Sequence, residues 1–241
     1  MERDDRAPVS GFVSPSGFGA GDTISLPESA AHHARVKRLA MGDLVSVTDG
    51  RGARGVGAIV AIGKSRLDVR VDEASTAVRP ATLWLCVPIG DRDRMLWLAE
   101  KATELSVTGW QPVRFARSRS VTPRGEGEAF NAKLRTRMEA ALEQSHGAWL
   151  PEIATECEVA DVAALHGELD RWLLDASAPP LSSNSQARGA AVIFGPEGGM
   201  EPAEHALLVS AGWTPARLAP NILRFETAGI AAAAVLRSQR Q

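Results

Sequence analysis

Two rhythms of apolar residues divide this chain near residue 80, and no other feature restricts its fold as strongly. Before that point the runs are short, alternating and closely spaced. Leu44-Val45-Ser46-Val47-Thr48 alternates and then meets Asp49-Gly50-Arg51-Gly52, a tight-turn signal. Further short strands are expected at 57–62 and 67–71, with a helix over 28–39. Strands this close together predict a small β-barrel over residues 1–75. The apolar pattern lapses at 72–80, which predicts a linker.

From residue 82 strands and helices alternate. Leu83-Trp84-Leu85-Cys86-Val87 is a continuous apolar run, as expected of a strand buried on both faces. Met95, Leu98, Ala102 and Leu105 form a helical stripe within 93–106. A strand at 110–115, a helix over 128–144 and strands at 171–174 and 191–194 follow, the last two separated by a Ser/Pro/Gly-rich loop at 177–189. A helix from Pro202, a strand near 216–218 and an Ala-rich helix over about 227–237 complete the series. This alternation predicts an α/β domain over 82–241 with a mainly parallel sheet.

Composition narrows the function classes. No apolar run approaches the ~18 residues of a membrane span, and the charged start Met1-Glu2-Arg3-Asp4-Asp5-Arg6 predicts no signal peptide. Cys86 and Cys157 are isolated, which excludes a disulfide framework or thiolate cluster and predicts a cytoplasmic protein. His32-His33 lacks partners at metal-ligand spacing, so no metal is expected. Gly63-Lys64-Ser65 lacks the earlier glycine and following helix of a P-loop. Net charge is −2, yet the segment from Arg114 to Arg137 carries seven basic residues against Glu126 and Glu128, which suits a polyanion contact on one face.

Two segments carry chemistry. Gly195-Pro196-Glu197-Gly198-Gly199 directly follows a predicted strand, where parallel α/β sheets bind ligands, and glycines there permit positive φ and admit close approach of a ligand to the backbone. Glu201, Pro202 and Glu204 suit the start of the next helix. Leu218-Ala219-Pro220-Asn221-Ile222-Leu223-Arg224-Phe225-Glu226-Thr227-Ala228 reads as strand end, loop and helix start. Arg224 and Glu226 read equally well as site residues or as an ion pair at the helix start.

The two segments together closely resemble the SPOUT methyltransferases and, within them, the RsmE-type 16S rRNA (uracil-N3) methyltransferases. Residues 33–39 with Gly42-Asp43 and Asp49-Gly50-Arg51-Gly52, then Lys101-Ala102-Thr103-Glu104-Leu105, and Glu143-Gln144-Ser145 with Pro151-Glu152-Ile153, extend the resemblance over nearly the whole chain. It implies a PUA-like N-terminal barrel, a C-terminal domain with a trefoil knot, a homodimer, and 16S rRNA of the small ribosomal subunit as substrate. It also implies S-adenosylmethionine as cofactor, held by Leu174, Gly195, Pro196, Glu197, Gly198, Gly199, Leu218, Ala219, Asn221, Ile222, Leu223 and Arg224. Arg224 is the first catalytic candidate, with Glu197 or Glu226 acting as base or orienting it. Arg35, Lys37, Arg38, Arg51, Arg117 and Arg119 are the RNA-contact candidates. The chain departs from the family pattern at Gly147, Asn221 and Phe225, the first two replacing arginines. Those departures keep open methylation of another rRNA or tRNA nucleotide, and a catalytically silent RNA-binding protein.

Overall fold

The computed structural model describes residues 7–118, 124–182 and 189–239. They form two compact units, one of residues 1–79 with 139–150, the other of 80–138 with 151–241.

The first unit holds β1 (Gly11–Val13), β2 (Thr23–Leu26), α1 (Glu28–Val36), β3 (Leu44–Thr48), β4 (Ala53–Ile62) and β5 (Leu67–Thr76). The five strands form one sheet in the order β1-β3-β4-β5-β2, with β1 parallel to β3 and the other pairs antiparallel. Phe12, Val45, Val47, Ile59 and Val69 fill its core, and α1 adds the small face Ala30, Ala31 and Ala34. Gly57 sits at a register shift between β4 and β5, where a Cβ would lie 2.1 Å from the Arg70 carbonyl oxygen. The expected linker at 72–80 is largely strand, because β5 continues to Thr76 and pairs with the first residues of β4. Its outer end is exposed on both sides and polar, so the alternation that marks a half-buried strand is missing there. Helix α1 stops at Val36, short of the expected 39, and Arg38 takes a positive φ of 56°.

The second unit begins with β6 (Thr82–Pro88), α2 (Arg92–Glu104), β7 (Gly109–Arg114) and α3 (Glu128–Ser145), whose last turns belong to the first unit. It continues with β8 (Glu152–Ile153), β9 (Cys157–Glu158), α4 (Val159–Ala163), β10 (Asp170–Leu174), β11 (Gly189–Ile193), α5 (Pro202–Ser210), β12 (Thr214–Ala216) and α6 (Phe225–Ser238). The sheet order is β12-β10-β11-β6-β7-β8, with β9 also on β7, and every pairing is parallel. All strands therefore end on the same edge. β11 is buried along its whole length, as a central strand covered on both faces must be. β12 lies at 214–216, two residues earlier than expected, because Ala216 and not Leu218 closes the register with Leu174.

Gly109 on β7 pairs with Trp84 on β6, and the indole lies across it. A Cβ at Gly109 would sit 2.2 Å from that ring. Gly109→Ala is accordingly expected to lower stability by about 1–3 kcal/mol. That corresponds to a drop of several degrees in Tm for a chain of this size. An unchanged calorimetric Tm would show that the ring moves aside freely.

Candidate active site

Three chain segments leave the sheet at its shared edge and converge. Leu174 and Asp175 end β10, Phe194 and Gly195 follow β11, and 216–223 lead from β12 to α6. Together they line one cavity, closed on the helix side by Phe225 and Ala228. Ligands of parallel α/β sheets bind at this edge, because crossing connections leave a crevice between strand ends.

The cavity's walls are mostly apolar and backbone. Ile222 lines it and is 88% exposed. The one acid in the lining is Asp175, whose backbone N–H donates to the Ala216 carbonyl at 3.0 Å. Its Oδ1 accepts from Ser177 N at 2.8 Å and Ser177 Oγ at 2.7 Å, and its Oδ2 lies 3.0 Å from His205 Nε2. Burial pushes this carboxyl up, but the Ser177 and His205 contacts outweigh it and hold the group below the ordinary aspartate value.

Beside the cavity lies a charged cluster. Asp91 caps α2, accepting from Arg94 N at 3.0 Å, and so aims the Arg94 side chain off the helix start. Arg94 Nη1 donates to Glu197 Oε1 at 3.1 Å, and its Nε lies 3.9 Å from Glu226 Oε1. Glu226 is 5% exposed, and its buried Oε2 makes no hydrogen bond among the described residues. Gly90 keeps the cluster tight, since a Cβ there would be 3.3 Å from Glu197 Oε2. Arg224, the residue before α6, is exposed; its carbonyl accepts from Ala228 N at 2.8 Å, and its side chain makes no hydrogen bond or ion pair among the described residues.

Of the twelve residues expected to hold the cofactor, Leu174, Gly195, Leu218, Ala219, Asn221, Ile222 and Leu223 line this cavity. Pro196, Glu197, Gly198, Gly199 and Arg224 do not line it. The glycines of the 195–199 turn serve the backbone: Gly199 takes φ 75°, and a Cβ at Gly198 would be 3.1 Å from Arg117. Arg117 braces the same turn, donating to Glu201 Oε1 at 2.6 Å and the Gly198 carbonyl at 3.3 Å. In the first unit Arg35 donates to the Gly63 and Lys64 carbonyls, Lys37 donates to Ser10 Oγ, and Arg38 and Arg51 are exposed. Arg119 lies outside the described residues. Asp175 and Arg94 escaped the sequence reading. The signal for Asp175 was an acid immediately after a strand. For Arg94 it was the charged run Asp91-Arg92-Asp93-Arg94 after another.

A family model described as the RNA methyltransferase domain matches residues 78–237, and one described as the RNA methyltransferase PUA domain matches 26–72. The chain belongs to the RNA methyltransferase family. It is 30% identical to the ribosomal RNA small subunit methyltransferase E of Rickettsia conorii, covering 84% of this chain and 83% of that one. It is 25% identical to the Bacillus subtilis protein of the same name, over 91% of each chain. Among solved structures it resembles the ribosomal RNA small subunit methyltransferase E of Neisseria gonorrhoeae bound to S-adenosyl methionine. That match has a TM-score of 0.85, 26% identity, and covers 95% of this chain and 97% of that one.

Proposed function

We propose that the chain transfers a methyl group from S-adenosylmethionine to N3 of a uridine in the 16S RNA of the small ribosomal subunit. The observation that carries this reading is the convergence of two loops, distant in sequence, on one cavity at the carboxyl ends of β10, β11 and β12. The relatives' names supply the class of acceptor, and the cofactor in the Neisseria gonorrhoeae structure supplies the donor.

The lining fits that donor. Ile222, Leu218 and Leu223 offer apolar surface to the nucleoside, the loop backbone at 218–223 offers hydrogen bonds to an adenine edge, and Asp175 offers a carboxylate to ribose hydroxyls or the ammonium group. When bound, S-adenosylmethionine supplies an electrophilic methyl on a cationic sulfur. Uracil N3 must lose its weakly acidic proton before its lone pair can accept that methyl. Glu226, one of whose carboxylate oxygens makes no hydrogen bond among the described residues, is our candidate to receive the proton. Arg94 holds Glu226 and Glu197 in place. Arg224 is free to stabilise negative charge on the uracil oxygens as the proton leaves. The uracil must be unstacked to reach these groups, as single-stranded and loop RNA allows. We carry over from the resemblance the knotted arrangement of the two loops, the homodimer and the cytoplasmic location, which remain part of this proposal.

Asp175→Asn removes the cavity's carboxylate with little change of shape. Losing a hydrogen bond to a charged group is expected to weaken S-adenosylmethionine binding by about 1.5–3 kcal/mol, roughly ten- to a hundredfold. Turnover at saturating donor should change little. Calorimetric titration checks this, and an unchanged Kd would remove Asp175 from the donor site. The whole reading is tested by mapping modified nucleosides in rRNA from cells with and without the gene. One N3-methyluridine should disappear from 16S rRNA, while loss of a different mark, or none, would overturn the assignment.

A further inference from the structure

The first unit contains a cavity of about 470 Å³ between its sheet and the last turn of α3. Gly11 on β1 makes it: a Cβ there would be 2.5 Å from the Glu143 carbonyl oxygen, so the helix end packs directly against the strand. The floor is a cross-strand patch on one face of the sheet. Ser46 pairs with Val56 and Val56 with Glu73, while Thr48 pairs with Arg54 and Arg54 with Ser75. The roof is Leu142, Glu143 and His146. Arg54 Nη2 donates to the His146 carbonyl at 2.9 Å, and Ser46 Oγ lies 3.3 Å from His146 Nδ1.

Glu143 is the feature that asks for a ligand. Its Oε1 accepts from Val13 N at 3.0 Å, while Oε2 has no protein partner among the described residues. Desolvation chiefly, with help from Glu139, outweighs the Val13 hydrogen bond and Lys37 and pushes its carboxyl up to about 7. Such a group gains from neutral N–H donors brought into the cavity, which stabilise its charge without further ions. The space admits a flat heterocycle but no nucleic-acid helix. Among the RNA bases only guanine presents two adjacent N–H donors, N1–H and N2–H2, on one edge. Uracil, cytosine and adenine each set at least one acceptor directly beside the donor, and a carboxylate repels it.

We propose that this cavity is a second subsite that receives an unstacked guanine of single-stranded RNA, with the guanine N1–H and N2–H2 donating to Glu143 and its phosphate lying toward Arg54. The proposal rests on the reading that the chain acts on RNA, but not on which nucleotide is methylated.

The test is an NMR titration of the full ¹⁵N-labelled chain at pH 8, where Glu143 is ionised, with GMP, IMP, AMP and UMP in turn. GMP is expected to shift the amides of Ser46, Arg54 and Ser75. IMP, which lacks the N2 amine, should bind roughly tenfold more weakly, and AMP and UMP should leave these amides unmoved. Glu143→Gln should weaken GMP binding at least tenfold while its spectrum stays folded. Arg54→Ala should weaken GMP but not guanosine. Equal binding of all four nucleotides, GMP binding unaffected by Glu143→Gln, or shifts confined to the second unit would overturn the subsite. If rRNA is methylated normally while GMP fails to bind, the subsite falls and the methyltransferase reading stands.

Discussion

Replacing Arg224 with alanine is expected to cut methyl transfer by about 10²–10³-fold, the usual loss when one preorganised donor to a developing anion is removed. S-adenosylmethionine affinity should stay within about threefold. The two outcomes separate because Arg224 does not line the cavity, whereas its neighbours Ile222 and Leu223 do. The fold should not suffer either. The side chain makes no capping hydrogen bond at the start of α6 and no ion pair among the described residues, so truncation removes nothing that holds the helix. Arg224→Lys restores charge without the planar fork and should recover part of the loss. Single-turnover transfer to small-subunit RNA, beside calorimetric titration of the donor, measures both quantities. Unchanged turnover in Arg224→Ala would remove this residue from the mechanism.

Removing Arg94 acts differently, on stability and turnover together. Glu226 is 5% exposed and has Arg94 as its counter-charge. Breaking a fully buried pair by deleting one partner costs about 3–5 kcal/mol. Arg94 is 37% exposed and its Nε stands 3.9 Å from Glu226, so water screens part of the interaction. A loss of about 2–3 kcal/mol is expected for Arg94→Ala. Most of that is the cost of a carboxylate left buried alone, so adding Glu226→Gln should recover stability although it removes a second charge. Turnover should stay low in both variants, because Glu197 and Glu226 are no longer held. Urea unfolding of the single and double variants checks the sign. If the two substitutions simply add, the Arg94 and Glu226 charges are not coupled.

The division into a strand-rich first part and an alternating second part was legible because backbone periodicity alone reports it. Continuous apolar runs such as Leu83 to Val87 do become central parallel strands. The helix after Gly199 was legible in its own chemistry, since the Glu201 backbone N–H donates to Glu204 Oε2 at 2.8 Å. Elements of two or three residues, such as β1, β8 and β9, were not, because nothing periodic fits within them. The site shows the same boundary. Residues of 218–223 could be assigned to one loop by adjacency in the chain. The partner of Glu197 could not, since Arg94 lies 103 positions away and is brought there by the order of strands in the sheet. Adjacency in fact suggested Arg224 as the cation for Glu226, whereas both acids face Arg94. The positive φ expected of the glycine-bearing turn is found at Gly199, whereas the space a Cβ would fill at Gly198 lies against Arg117 and not in the cavity.

The claim on which all of this depends is that the space between the 195 turn and the 218–223 loop holds the methyl donor. Ala219 lines that space on an irregular, half-buried stretch, so Ala219→Trp should fill it without disturbing the core. Calorimetric titration with S-adenosylmethionine should give micromolar, one-to-one binding to the unaltered chain, and at least a hundredfold weaker binding to Ala219→Trp at equal Tm. Equal affinity in the two proteins, or none in the unaltered chain, would contradict it.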